Sequence, residues 1–152
     1  MTTIITTSEN MPMPMIDVFA ATGTFKDKPA LTKALNDALL HWEKVPAISL
    51  FLENTAAFVH ELPADALATA SGENTYVRVN VLTPVGVLGR EQQLGVVKDM
   101  TDIVARAAGD PTLVERTWVI ITESPDGGWG IDGHAYTRAE IGEAAKRALS
   151  GA

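Results

Sequence analysis

Residues able to do chemistry are few in this 152-residue chain, and the first of them is a proline. Pro14 heads the strand-like run Met15-Ile16-Asp17-Val18-Phe19. At such a place a proline is either a structural residue that opens a strand without an N–H to give the ladder, or, where it begins a chain, a secondary amine. A free α-amino group titrates at about 8, and burial beside a positive charge lowers that value toward neutrality, which suits proton abstraction next to a carbonyl. In the chain as written Pro14 follows Met13, so its nitrogen is a tertiary amide with neither proton nor basicity. Translation from Met13, with removal of Met before the small residue Pro, would expose the amine. A start at Met11 would expose Pro12, two residues early, and a start at Met1 leaves Pro14 acylated. Where the mature chain begins decides between a base and a strand initiator.

Other chemistries find little support. Without cysteine there is no disulfide, thiolate metal site or Cys nucleophile. His41, His60 and His134 share no metal-ligand spacing, so no metal is expected. No Gly-x-Ser-x-Gly elbow marks a nucleophilic serine. Thr22-Gly23-Thr24 is an isolated turn, and Gly127-Gly128-Trp129-Gly130 follows a strand without opening a helix, so no nucleotide site is read. A net charge of -7 and a pI near 4.8 repel phosphate backbones and anionic lipid, which argues against nucleic-acid and membrane partners. No apolar run reaches the roughly 18 residues of a membrane-spanning helix. The leader Met1 to Asn10 has neither Lys, Arg nor a signal-like apolar stretch, and a cytoplasmic protein is expected.

The elements that must position these residues come in two similar sets. Hydrophobic residues make up 46% of the chain and mean hydropathy is +0.09, enough for one buried core. In the first half, the strand over Met15 to Phe19 ends at Gly23. A helix over Lys28 to Val45 follows, with apolar residues at 31, 34, 35, 38, 39, 42 and 45, Pro29 in its first turn and Pro46 as its stop. Ala56-Ala57-Phe58-Val59 is the second strand, and Pro63 to Asn74 is a linker by composition. The second half repeats the order with strand Tyr76 to Leu82, a turn at Pro84 to Gly86, helix Arg90 to Ala108 and strand Thr117 to Thr122. Gly23 and Gly86 are 63 apart, Asn36-Asp37-Ala38-Leu39 and Thr101-Asp102-Ile103-Val104 are 65 apart, and Glu61-Leu62-Pro63 and Glu123-Ser124-Pro125 are 62 apart. Order and spacing together favour an internal duplication.

Two β-α-β units side by side predict an α+β fold with a four-stranded mixed sheet and both helices on one face. Nothing left in the chain is apolar enough to cover the other face, so self-association is expected. Thr137-Arg138-Ala139-Glu140 has capping-box spacing and precedes Ile141, Ala144, Ala145, Ala148 and Leu149, which predicts a short C-terminal helix docked as a structural tail. The expected organisation is an extension over 1–12, one domain over 13–136 made of halves 13–70 and 75–136, and a C-terminal helix or tail over 137–152.

The segment from Thr117 through Glu123 and Pro125 to Trp129 and Gly133, with Gly86 and Glu91-Gln92-Gln93 upstream, resembles the 4-oxalocrotonate tautomerase family, and the Trp118-Val119 then Glu123-x-Pro125 pattern is similar to its fused, double-length members, such as the 3-chloroacrylic acid dehalogenases. The resemblance covers most of residues 13–134, densely in the second half and loosely in the first. It implies a duplicated β-α-β fold, trimeric assembly and cofactor-free chemistry by an amino-terminal proline acting on a small carbonyl compound. Pro14 lies nine residues before Gly23, the spacing of that family's catalytic proline from its turn glycine. Trp129 takes the place of the family's hairpin aromatic, a wall of the site. The family's arginines are missing: their positions read Thr24 or Val87, and Trp118 or Ala56, which puts a carboxylate substrate of the usual kind in doubt. Arg78 and Arg116 are the candidate replacements, or else ion-pair residues of the surface or a trimer interface, and Trp118 would make the pocket smaller and drier or else pack in the strand core. The resemblance therefore implies a keto-enol isomerase using Pro14 as base. Its alternatives are a non-catalytic homo-oligomer of the same fold and a decarboxylase, hydratase or dehalogenase using the same amine.

Overall fold

A computed structural model describes residues 13–151. The expected extension over 1–12, with the Met11-Pro12 start, lies outside the described residues. The elements are β1 (Met15–Ala21), α1 (Lys28–Glu43), α2 (Ser49–Leu52), β2 (Ala56–Leu62), β3 (Val77–Pro84), α3 (Arg90–Ala108), β4 (Thr117–Ser124), β5 (Trp129–Ile131), β6 (His134–Tyr136) and α4 (Arg138–Leu149). The main sheet has the order β2-β1-β3-β4, with β1 parallel to β2, β3 parallel to β4, and β1 antiparallel to β3. It is the expected four-stranded mixed sheet, with α1 and α3 packed on one face.

Alternation decides the faces. Ile16, Val18 and Ala20 of β1 and Val77, Val79 and Val81 of β3 point toward the helices and are at most 1% exposed. They meet Leu31, Leu35 and Leu39 of α1 and Val96, Met100 and Val104 of α3 in one core. Asp27 caps α1, accepting from the Ala30 N–H at 3.1 Å, and Pro29 sits in the first turn where no N–H is missed. The helix stops at Glu43, before the expected Val45, because Lys44 turns left-handed at φ 57 and sends its N–H back to Leu40 and His41. The short α2 has too few residues for a periodic signal, and β2, β3 and β4 each run a few residues past their expected ends.

The duplication is visible in the turns. Glu61 at the end of β2 accepts from the Gly23 N–H at 3.1 Å, and Glu123 at the end of β4 accepts from the Gly86 N–H at 2.9 Å. Both glycines have positive φ, 90° and 77°. The two halves thus close their strand-to-helix turns with the same glutamate-to-glycine bond. That Gly23 N–H is also the main reason the Glu61 carboxyl titrates below its ordinary range.

The two long helices are locked together at Trp42. Its indole N–H donates to Asp99 at 2.7 Å, its carbonyl accepts from Gln92 at 2.8 Å, and its ring lies against Gly95. A Cβ on Gly95 would fall inside the ring's van der Waals surface. Alanine at a helix interior gains about 1 kcal/mol over glycine, whereas overpacking costs about 1–3 kcal/mol, and the indole hydrogen bond keeps the ring from giving way. Gly95→Ala is therefore expected to lower stability in chemical denaturation; an increase would show that the two helices can separate freely.

The opposite face of the sheet is open. Phe58, Trp118 and Ile120 are 49%, 43% and 47% exposed there. No helix among the described residues is long and apolar enough to cross a membrane.

Candidate active site

The head of β1 is enclosed. Pro14 is buried, and Met13 before it is 1% exposed. Met13 packs in a second apolar cluster with Phe51 of α2, Trp129 of β5 and Ile141 and Ala145 of α4, with Met15, Leu82 and Tyr136 at its margin. The elements that build this cluster are locally determined. Thr137 caps α4 by accepting from the Glu140 N–H at 3.1 Å while Glu140 accepts from the Thr137 N–H at 2.9 Å. The hairpin pairs Trp129 with Tyr136. The expected C-terminal helix thus docks, and it does so over the start of β1.

A buried acid stands at the same end of the sheet. The β1–β3 register sets Met15 opposite Leu82, and one further step sets Pro14 opposite Thr83. Thr83 is fully buried and its hydroxyl donates to Glu43 Oε2 at 3.3 Å. Glu43 is 4% exposed, and its Oε1 has no hydrogen-bond partner among the described residues. Burial pushes this carboxyl up to about 8, opposed only in part by the Thr83 bond, so it keeps its proton at neutral pH. Glu43 is not among the site residues expected from sequence, although its position holds a signal: it continues the i+4 stripe Leu31, Leu35, Leu39 into the last turn of α1.

A cation also reaches this end. Arg138, at the start of α4, lies against the turn after β3, where a Cβ on Gly86 would come within 3.0 Å of its Nη1. Its backbone N–H donates to Asp126 at 2.7 Å. No local pattern links Arg138 to Gly86, so this approach is not readable from spacing.

Of the five site residues expected from sequence, the structure brings Pro14 and Trp129 to one end of the sheet. The other three lie at the opposite end. Arg78 pairs with Phe19 and Trp118 across the strands, five residues beyond Pro14 along β1, or roughly 16 Å at the rise of an extended strand. The Arg78 guanidinium sits 4.5 Å over the Phe19 ring, Phe19 stacks on His60, and Trp118 stacks on Tyr76. Phe19, Tyr76, Arg78 and Trp118, together with Leu62 and Leu67, line a cavity of about 330 Å³. Arg116 is held by Asp110 at 3.1 Å, by the Thr112 hydroxyl at 2.9 Å and by the Thr75 carbonyl at 3.4 Å. A larger groove of about 660 Å³ runs between α3 and the edge strand β4, past Leu94, Val97 and Val114, away from Pro14.

No protein-family model and no curated protein matches the sequence. Solved structures do match. The Q0 fused 4-OT wild type, a symmetric trimer, superposes with a TM-score of 0.69 at 22% identity, over 84% of this chain and 98% of that one. N1, a member of the cis-3-chloroacrylic acid dehalogenase family, gives 0.69 at 18% identity over 86% and 88%. Pt0534 inactivated by 2-oxo-3-pentynoate gives 0.62 at 17% identity over 82% and 95%.

Proposed function

From a chain that carries the double-length tautomerase fold of the fused 4-OT structures, we infer a cofactor-free keto-enol isomerase of a small carbonyl compound, with the Pro14 amine as its base once that amine is free. One observation carries this reading: the nitrogen of Pro14 is joined to a residue whose side chain fills an enclosed apolar space. A chain beginning at Pro14 has a secondary amine at the mouth of that space. Desolvation there favours the neutral, proton-accepting amine at neutral pH. In ketonisation the enol oxygen loses its proton as its carbon becomes the carbonyl carbon, the other carbon of the double bond gains a proton, and the amine carries protons without net change. Arg78 and Trp118 take part only if a neighbouring copy presents them, because within one chain they lie at the far end of β3. Decarboxylation or hydration would need the same free amine.

Among the described residues every helix and strand and every residue of the main core lie after Pro14, so a chain beginning at Pro14 is expected to retain the fold. The test uses 2-oxo-3-pentynoate, an electrophile to which a secondary amine adds at the alkyne. The shortened chain should gain one equivalent by mass, mapped to Pro14, and the full chain should gain none there. Labelling elsewhere, or a natively expressed protein whose mature chain keeps its first residues, overturns the reading.

A second reading, a non-catalytic homo-oligomer, is favoured by Met13 itself: in the full chain it acylates Pro14 and is 1% exposed. Both readings assign the open sheet face to self-association, and the fused 4-OT structures of the same fold are trimers. Ile120→Asp should shift sedimentation from trimer to monomer. An unchanged assembly would mean that another surface joins the subunits.

A further inference from the structure

We propose that the cavity at the head of β3, with Arg78 as its cation and Phe19, Tyr76 and Trp118 as its walls, is a second binding site, for a small carboxylate that carries an aryl group. The site goes beyond the proposed function: it lies at the end of the sheet opposite Pro14 and needs no free amine.

The duplication places it. Val77 follows Pro14 by 63 residues, the offset that relates Gly23 to Gly86, so the head of β3 is the second half's counterpart of the head of β1. Where the parallel register of the first half sets Met15 beside Ala56, that of the second sets Arg78 beside Trp118. A nitrogen in mid-chain is an amide, so this end can hold a ligand but cannot supply a base. Arg78 is exposed, and it is the only charged residue among the described residues that line the cavity. Its contact with Phe19, 4.5 Å from the guanidinium carbon to the ring centre, draws on the ring's π cloud and leaves the N–H donors without a carboxylate or carbonyl partner among the described residues. Asp17, two residues before Phe19, and Glu61, beside Leu62, are taken elsewhere: Asp17 by His60 at 2.7 Å, Glu61 by the Gly23 N–H and by Lys28 at 3.3 Å. An unpaired guanidinium fork matches a carboxylate through two parallel hydrogen bonds. The stacked rings of Tyr76 and Trp118, 4.6 Å apart, with Leu62 and Leu67, offer the rest of the ligand an aromatic and apolar surface. A volume of about 330 Å³ is at the small end of ligand sites and suits one ring with a short acid arm.

Calorimetry on the full chain compares phenylacetate with phenylacetamide and with acetate. Phenylacetate should bind about tenfold or more tightly than either, because the amide lacks the charge and acetate lacks the ring. Arg78→Gln should weaken phenylacetate by about ten- to hundredfold and leave phenylacetamide within about threefold of its parent value, a split that a merely structural role of Arg78 would not produce. Trp118→Ala should weaken the acid and the amide alike, by about tenfold. Equal affinity for acid and amide, or phenylacetate binding that either variant leaves intact, overturns the site. So does a parent that binds no phenylacetate at millimolar concentration, the result expected where a second copy of the chain covers the cavity. Pro14 is acylated in the full chain, so these outcomes stand apart from whether proline catalyses ketonisation.

Discussion

In a chain that begins at Pro14, Pro14→Ala should reduce kcat/KM for ketonisation of phenylenolpyruvate by about a hundredfold, and the full chain should fall further, to the rate of the enol in buffer. The scale comes from what a positioned base supplies, about 10²–10⁴ in rate. The substitution does not remove the amine. It exchanges a secondary amine held in a ring, with φ fixed at the head of β1, for a primary amine on a freely turning terminus, so the loss belongs at the lower end of that range. The full chain loses the base altogether, because acylation by Met13 leaves no lone pair to accept a proton, and the Met13 side chain also occupies the adjoining space. Activity should follow the neutral amine, falling about tenfold for each pH unit below its pKa. Equal activity in the full chain, the shortened chain and the Pro14→Ala variant would remove proline from the mechanism.

How far the site could be read in advance follows from the range of each signal. The helices carry their periodicity within a few turns, which is why Arg90 and Ala108 are met as the ends of α3 and Thr137 as the cap of α4. The repeat of Gly23 with Glu61 by Gly86 with Glu123 was legible as spacing, and the structure gives it a cause in two equivalent hydrogen bonds. Pro14 and Trp129 were legible as positions. What closes around them was not, because the Met13 pocket is assembled from α2, β5 and α4, and their meeting is a tertiary event that no window of sequence contains. Arg78 and Arg116 show the same limit from the other side. Nearness of a strand's start in sequence put Arg78 beside the site, whereas the antiparallel joining of β1 to β3 sends the start of β3 to the end of the sheet opposite Pro14.

Glu43 should dominate the pH dependence of stability near neutrality. Its folded pKa of about 8 lies above the ordinary 4.5, so the folded state holds a proton that the unfolded chain releases. The stabilisation is complete below 4.5, declines as pH rises from 4.5 toward 8, and is gone above the folded value. At 1.36 kcal/mol per pH unit, the protein at pH 7 should be less stable than at pH 4.5 by roughly 3 kcal/mol from this group alone. The surface carboxyls have the opposite sign and a different window. Asp110 is held low chiefly by the Thr112 hydroxyl and Glu140 chiefly by the Thr137 N–H, so what they add is present above their ordinary pKa values and disappears in acid. Glu43→Gln removes the titration while keeping an acceptor for Thr83, so variant and parent should diverge steadily in urea denaturation between pH 5 and pH 8, with the variant ahead at pH 8. Parallel curves across that interval would mean that Glu43 is already ionised in the folded chain. Glu43 is hydrogen-bonded to Thr83, the residue opposite Pro14 on β3, and desolvation of the kind that holds its proton would also favour the neutral form of a neighbouring amine.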